Sequence, residues 1–210
     1  MKKKLQEPSN AALAPRIAAV SPDSAEEWPE ALTKTLGGAQ VPNLFATVAR
    51  NPDLFAAWLP LCLYQLQSPE FSARQRELVI MRTARLCRAR YVWGHHVGFA
   101  RQAGISDDEI TRLGANRLDD RWPGEDRSLL HAVEDLHTTH TINTDTWIAL
   151  TSFLSVTALI GLPMLVGHYT LLANLLNSLG SAVDESVPAA DQVIGWGQPE
   201  MKEDNQCVSQ

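Results

Sequence analysis

Along most of this chain the apolar residues recur three and four positions apart, the spacing of one face of an α-helix, and no stretch alternates at the two-residue period of a strand. The pattern predicts an all-α, single-domain fold without an internal repeat. A first helix is expected from about Ser24 to Leu36, stopped by Gly37 and Gly38. "VPNLFATVARNPDLFAAWLPLCLYQLQ" reads as two helices. Asn51 caps the second and Pro52 sits in its first turn, while Pro60 is expected to kink it or open a turn. Ser72-Ala-Arg-Gln75 and Ser106-Asp-Asp-Glu109 have the form of capping boxes. The first opens a helix running to Cys87 or Arg90. A helix from Val92 to Ala103 ends at Gly104, and the second box opens the next. After a loop at 114–125, helices are expected at 125–140, 144–154 and 157–179, the last stopped by Gly180.

Residues 1–21 read as a flexible N-terminal arm, 22–183 as the helical domain and 184–210 as a polar tail. The apolar stretch "TALIGLPMLVGHYTLLANLL" is interrupted by Gly161, Pro163, Gly167, His168 and Asn174, and reads as a core helix rather than a membrane span. It is hydrophobic on more than one face, so a single neighbour cannot cover it, and a homo-oligomer is expected.

Charge and composition narrow the partners. Of 210 residues, 45% are hydrophobic and 20% charged, the net charge is -6 and the pI about 5.5. No basic face of the kind that binds nucleic acid follows from such a balance. "MKKK" has no apolar run behind it, so no signal peptide is expected. Cys62, Cys87 and Cys207 are odd in number and widely spaced, which fits a reducing cytoplasm better than a disulfide framework.

Candidate chemistry gathers in "RLCRARYVWGHHVGFARQAGIS". His96 shares a stripe with Val92, Phe99, Ala100 and Ala103 and so points inward, where it is either a packing residue or a proton shuttle. His95 lies about 100° round the helix with Tyr91 and Gln102, on a more polar face. Glu77 shares its face with Ile80, Met81 and Ala84. By periodicity it is either partly buried on that stripe or a surface carboxylate at its edge, paired with Arg74 or Arg76, and periodicity alone favours the edge. His168 is inward by period, and His137 and His140 are three apart. None of these has the spacing of a metal signature, so no metal site is expected. Cys87 stands among Arg85, Arg88 and Arg90, which could lower a thiol pKa, but it has no second cysteine nearby.

Residues 74–110, "RQRELVIMRTARLCRARYVWGHHVGFARQAGISDDEI", resemble the core motif of the carboxymuconolactone decarboxylase family, which includes the AhpD-like alkylhydroperoxidases. The likeness extends to "VPNLFATVARNPDLF" upstream and to "AVEDLHTTHTINTDTWIAL" and "LIGLPMLVGHYTLLANLLNSLG" downstream, about residues 40 to 183. It implies an AhpD-like helical domain, oligomeric as a trimer or hexamer, with a pocket lined by a glutamate and a histidine. In the peroxidase branch a Cys-x-x-Cys is followed four residues later by His and preceded by Glu. Laid on this chain, the Glu is Glu77 and the His is His96, while the thiol positions are Ala89 and Val92. Cys87 is two residues short of the first, turned about 200° away. Many thiol-less members carry Tyr-Glu-Trp where this chain has Tyr91-Val92-Trp93.

The resemblance thus implies a lyase, decarboxylase or isomerase that works without a cofactor on a small cyclic or aromatic molecule. His96 would be the acid or base, Glu77 its partner, and Tyr91 or His95 the holder of an enolate oxygen. Trp93, Phe99, Trp58 and His137 would contact the substrate. The alternatives are a non-catalytic scaffold or ligand-binding protein, a thiol-dependent antioxidant, disfavoured because a peroxidatic and a resolving thiol are both missing, and a histidine–metal enzyme.

Overall fold

The computed structural model describes residues 15–19, 41–184 and 187. The expected helix from Ser24 to Leu36 lies outside them, as does most of the arm and tail. Among the described residues there are eight helices and no strand: α1 Asn43–Val48, α2 Pro52–Gln67, α3 Ala73–Leu86, α4 Arg90–Gln102, α5 Asp107–Leu113, α6 Gly124–Thr139, α7 Thr144–Thr151 and α8 Val156–Leu179.

The local signals act where the sequence places them. Asn51 accepts from the Leu54 N–H, and Pro52 is the first residue of α2. Ser72 and Gln75 form a reciprocal capping box at α3, and Ser106 and Glu109 another at α5. Each satisfies two of the backbone N–H groups that a helix start leaves without partners. Gly180 ends α8 at φ 64°, a conformation in which a Cβ would be strained. Of the two outcomes expected at Pro60, a turn is not opened: α2 runs through it. Pro60 and Ala56, whose carbonyl loses its i+4 donor, are both exposed, so water can replace the missing hydrogen bond.

α3 is the centre of the fold and packs against α4, α6 and α8. Every residue from Glu77 to Ala84 is buried, so this helix has no solvent face over two turns. That burial encloses Arg82 completely. Its guanidinium donates to the carbonyls of Leu113 (2.8 Å) and Ala115 (2.6 Å) and to Glu134 on α6 (2.6 Å). A buried cation is tolerated only with such partners, and here they pin the loop after α5 to the core. Trp122 from the same loop is buried beneath the Arg112 guanidinium, 4.2 Å from its carbon to the ring centroid.

α8 is long and apolar enough, by length and composition, to cross a membrane. One face of it, including Leu162, Leu165, Tyr169, Leu172 and Leu176, is in the core. Val156, Ile160, Met164 and Leu171 on the other side are more than half exposed, with Ile160 and Met164 beside Leu61 and Tyr64 of α2. Residues 15–19, expected to be part of a loose arm, run beside the end of α8: the Arg16 N–H donates to Leu179 O, and Arg50 reaches Ala18 O.

Candidate functional site

Antiparallel packing of α3 and α4 brings together two side chains nineteen positions apart. His96 Nδ1 lies 2.8 Å from Glu77 Oε2, and both side chains are buried, at 8% and 3% exposure. A carboxylate only accepts, so the proton of this hydrogen bond sits on Nδ1, and in the neutral ring the lone pair is then on Nε2. The other carboxylate oxygen, Oε1, accepts from Arg76 Nε at 3.3 Å, and Arg76 also donates to Gln67 O. Burial of an unpaired carboxylate here would cost several kcal/mol, and these two contacts offset that. The surface position that periodicity suggested for Glu77 is thus overturned by the α4 and α8 helices closing over it, although its pairing with Arg76 is present.

Aromatic rings flank the histidine. Phe99, one turn along α4, meets His96 edge-on at 5.6 Å and is half exposed. Tyr169 of α8 meets it edge-on at 5.2 Å from within the core. Burial, and then the negative charge of Glu77, hold the Tyr169 phenol well above its ordinary pKa, so it stays protonated. Tyr169 was not foreseen. The signal for Tyr169 was the inward stripe of α8, where attention fell on its neighbour His168.

The remaining sequence-predicted residues lie elsewhere. Tyr91 and His95 stack on one another with centroids 4.4 Å apart, and both turn to Asp184, not to the Glu77–His96 pair. His95 is the more exposed histidine of the two, as its stripe implied. Burial lowers its pKa, against the opposing pull of Asp184. Trp93 is wholly enclosed, so it supports α4 from behind and offers no surface to a ligand. Trp58 lies against Phe45 and Phe55 and stacks on His168 at 6.3 Å. Burial pushes His168 down to about 4. His137 is exposed on α6, with Nδ1 3.9 Å from Cys87 Sγ. Cys87 also meets Thr170, and burial raises its thiol pKa, contrary to what three nearby arginines suggested. The positions where a thiol pair would stand, Ala89 and Val92, are buried apolar residues.

A groove of about 520 Å³ opens between α2 and α8, lined by Leu61, Tyr64, Glu70, Ile160, Gly161 and Met164 among others; its walls include neither Glu77 nor His96. Tyr64 donates to Glu70 Oε1 at 2.5 Å there. Among the described residues no three His, Cys, Asp or Glu side chains converge as a metal site.

Residues 52–135 match the model of the carboxymuconolactone decarboxylase family. No curated protein matches the chain. Among solved structures, an uncharacterised peroxidase-related protein with an alkylhydroperoxidase AhpD core, from Ralstonia eutropha JMP134, superposes with a TM-score of 0.67 at 16% identity, covering 84% of this chain and 95% of that one. The debrominase Bmp8 in complex with 2,3,4-tribromopyrrole gives 0.63 at 15% identity over 81% and 92%. A protein of unknown function from Agrobacterium tumefaciens gives 0.59 at 19% over 65% and 94%. At these identities the likeness is one of fold.

Proposed function

We propose that this chain, whose residues 52–135 match the carboxymuconolactone decarboxylase family model and which carries no Cys-x-x-Cys, is a cofactor-free enzyme that moves protons on a small cyclic or aromatic molecule. The reaction class is a lyase, decarboxylase or isomerase step, with His96 as the acid–base group and Glu77 as its orienting partner. The observation that carries this reading is the 2.8 Å contact from His96 Nδ1 to Glu77 Oε2. It commits Nδ1 and leaves Nε2 as the basic nitrogen.

In this reading Nε2 takes a proton from a carbon next to a carbonyl. The imidazolium that forms lies against the Glu77 carboxylate, whose charge stabilises it, and the proton is returned from Nε2 at the end of the step. Phe99 and Tyr169 flank the ring and suit a flat or cyclic substrate. The brominated pyrrole held by the debrominase is a small ring on a similar fold, which supports the same size class. A thiol mechanism finds no support in Cys87, which faces His137 and Thr170.

The test is solvent deuterium exchange into a panel of cyclic ketones, lactones and their carboxylated derivatives. The protein should label the carbon next to the carbonyl of at least one, and His96→Ala should slow labelling by about 100-fold or more. Labelling that is unchanged in His96→Ala, or absent from every compound, would count against the proposal. The second reading, binding without turnover, draws on the α2/α8 groove, which leaves both residues out of its walls; a ligand seated there with no exchange would favour it.

A further inference from the structure

Asp184, just beyond α8, is held by two hydrogen-bond donors from distant parts of the chain, with the His95 imidazole at ion-pair distance but not aligned as a hydrogen bond. The Asn43 N–H donates to Oδ1 at 2.8 Å. The Tyr91 hydroxyl donates to Oδ2 at 2.6 Å, and His95 Nε2 lies 2.7 Å from the same oxygen. The Tyr91 oxygen itself accepts the Leu44 N–H at 3.1 Å, so its own proton must point at Asp184. Tyr91 is buried and its phenol pKa is raised, by burial first and by the Asp184 hydrogen bond second, so this donor does not ionise. Asn43 Nδ2 adds a bond to Ala182 O, which draws residues 181–184 over α1 and α4 as a strap.

Both donors and the His95 imidazole belong to the helices, and only the acceptor belongs to the strap. Their arrangement is therefore fixed by the stacked rings of Tyr91 and His95 and by the start of α1, not by Asp184. One donor to the first oxygen and one, an acceptor-locked hydroxyl, to the second, with an imidazole nitrogen 2.7 Å from that second oxygen, is a pattern that fits a planar carboxylate. We propose that Asn43, Tyr91 and His95 form a carboxylate-binding site, filled in cis by Asp184, and that a small free carboxylate occupies it when Asp184 is removed. This inference stands apart from the chemistry assigned to His96. In the intact chain the tethered carboxylate is present at high effective concentration, so a free one competes poorly until the strap lifts.

The experiment uses the full chain with Asp184→Ala and sodium acetate as the probe, against sodium chloride at equal ionic strength and pH. Asp184→Ala should melt several degrees below the parent, and saturating acetate should raise it by about 3 °C or more beyond chloride. The parent should show no such acetate effect. Adding Tyr91→Phe to Asp184→Ala should abolish the response. If Asp184→Ala does not fold, Asp184→Asn keeps the bulk of the side chain and decides the matter by the same acetate-dependent shift. Acetate acting no better than chloride on the variant that folds, or acting equally after Tyr91→Phe, would overturn the proposal.

Discussion

Replacing Glu77 by glutamine separates the orienting role of the carboxylate from its charge. In the protein, Oε2 accepts from His96 Nδ1 and Oε1 accepts from Arg76 Nε. The amide can accept from only one of these and must turn its NH2 to the other. Arg76 is 19% exposed and keeps its bond to Gln67 O, so it can turn to water; His96 is 8% exposed and cannot. The amide oxygen should therefore face His96, and the Nδ1–H tautomer should survive. What is lost is the charge. A hydrogen bond to a charged group contributes about 1.5–3 kcal/mol and a neutral one about 0.5–1.5, so about 1–1.5 kcal/mol of support for the imidazolium disappears. At 1.36 kcal/mol per tenfold, deuterium exchange should slow by about 10-fold, well short of the His96→Ala loss. Thermal unfolding should fall by about 1 kcal/mol, or about 2–4 °C for a chain of this size. An unchanged rate in Glu77→Gln would remove Glu77 from the mechanism. A loss as deep as that of His96→Ala, in a folded variant, would move proton transfer to the carboxylate itself.

Four further outcomes are expected. Cys87→Ser should leave exchange within about two-fold of the parent, because the thiol faces His137 and Thr170; abolished activity would place the chemistry on the thiol. Arg82→Met should lower stability by about 3 kcal/mol, read by denaturant unfolding, because it leaves the Leu113 and Ala115 carbonyls without their donor in the core; a loss under about 1 kcal/mol would contradict the anchoring role. His168 is held near 4 against an ordinary value of 6.5, so the unfolded chain takes its proton first as the pH falls. Stability should be fully present above 6.5, decline as pH drops from there to about 4, and decline less in His168→Phe. The half-exposed stripe Val156, Ile160, Met164 and Leu171, beside Leu61 and Tyr64, should be covered by other copies; light scattering at micromolar concentration should report an oligomer, and Ile160→Glu should dissociate it, whereas a monomeric parent would contradict this.

The helices were legible because their signals are local. Ser72 with Gln75, Ser106 with Glu109, and Asn51 with Pro52 each act within one turn, so a short window suffices to read them. Glu77 was not legible from periodicity: its burial depends on which helices close over α3, and only the family motif pointed inward. The ring of Asp184, Tyr91, His95 and Asn43 joins residues 93 and 141 positions apart and leaves no repeating pattern to find. His137 illustrates the converse. A segment that resembles the family gave it a place at the substrate, yet the α6 register sets it against Cys87, at the far end of α3 from Glu77. Trp93 was read as a contact residue because aromatics suit rings, and α4 instead turns it wholly into the core.

The central claim is that the buried carboxylate holds His96 in one tautomer with Nε2 free to act as a base. Nitrogen-15 NMR of the imidazole rings, assigned with the His96→Ala variant, reads that state directly and needs no substrate. In its neutral form His96 should carry its proton on Nδ1, with that proton shifted downfield by the Glu77 hydrogen bond and with Nε2 bare. A neutral His96 protonated on Nε2, with Nδ1 bare, would contradict the claim.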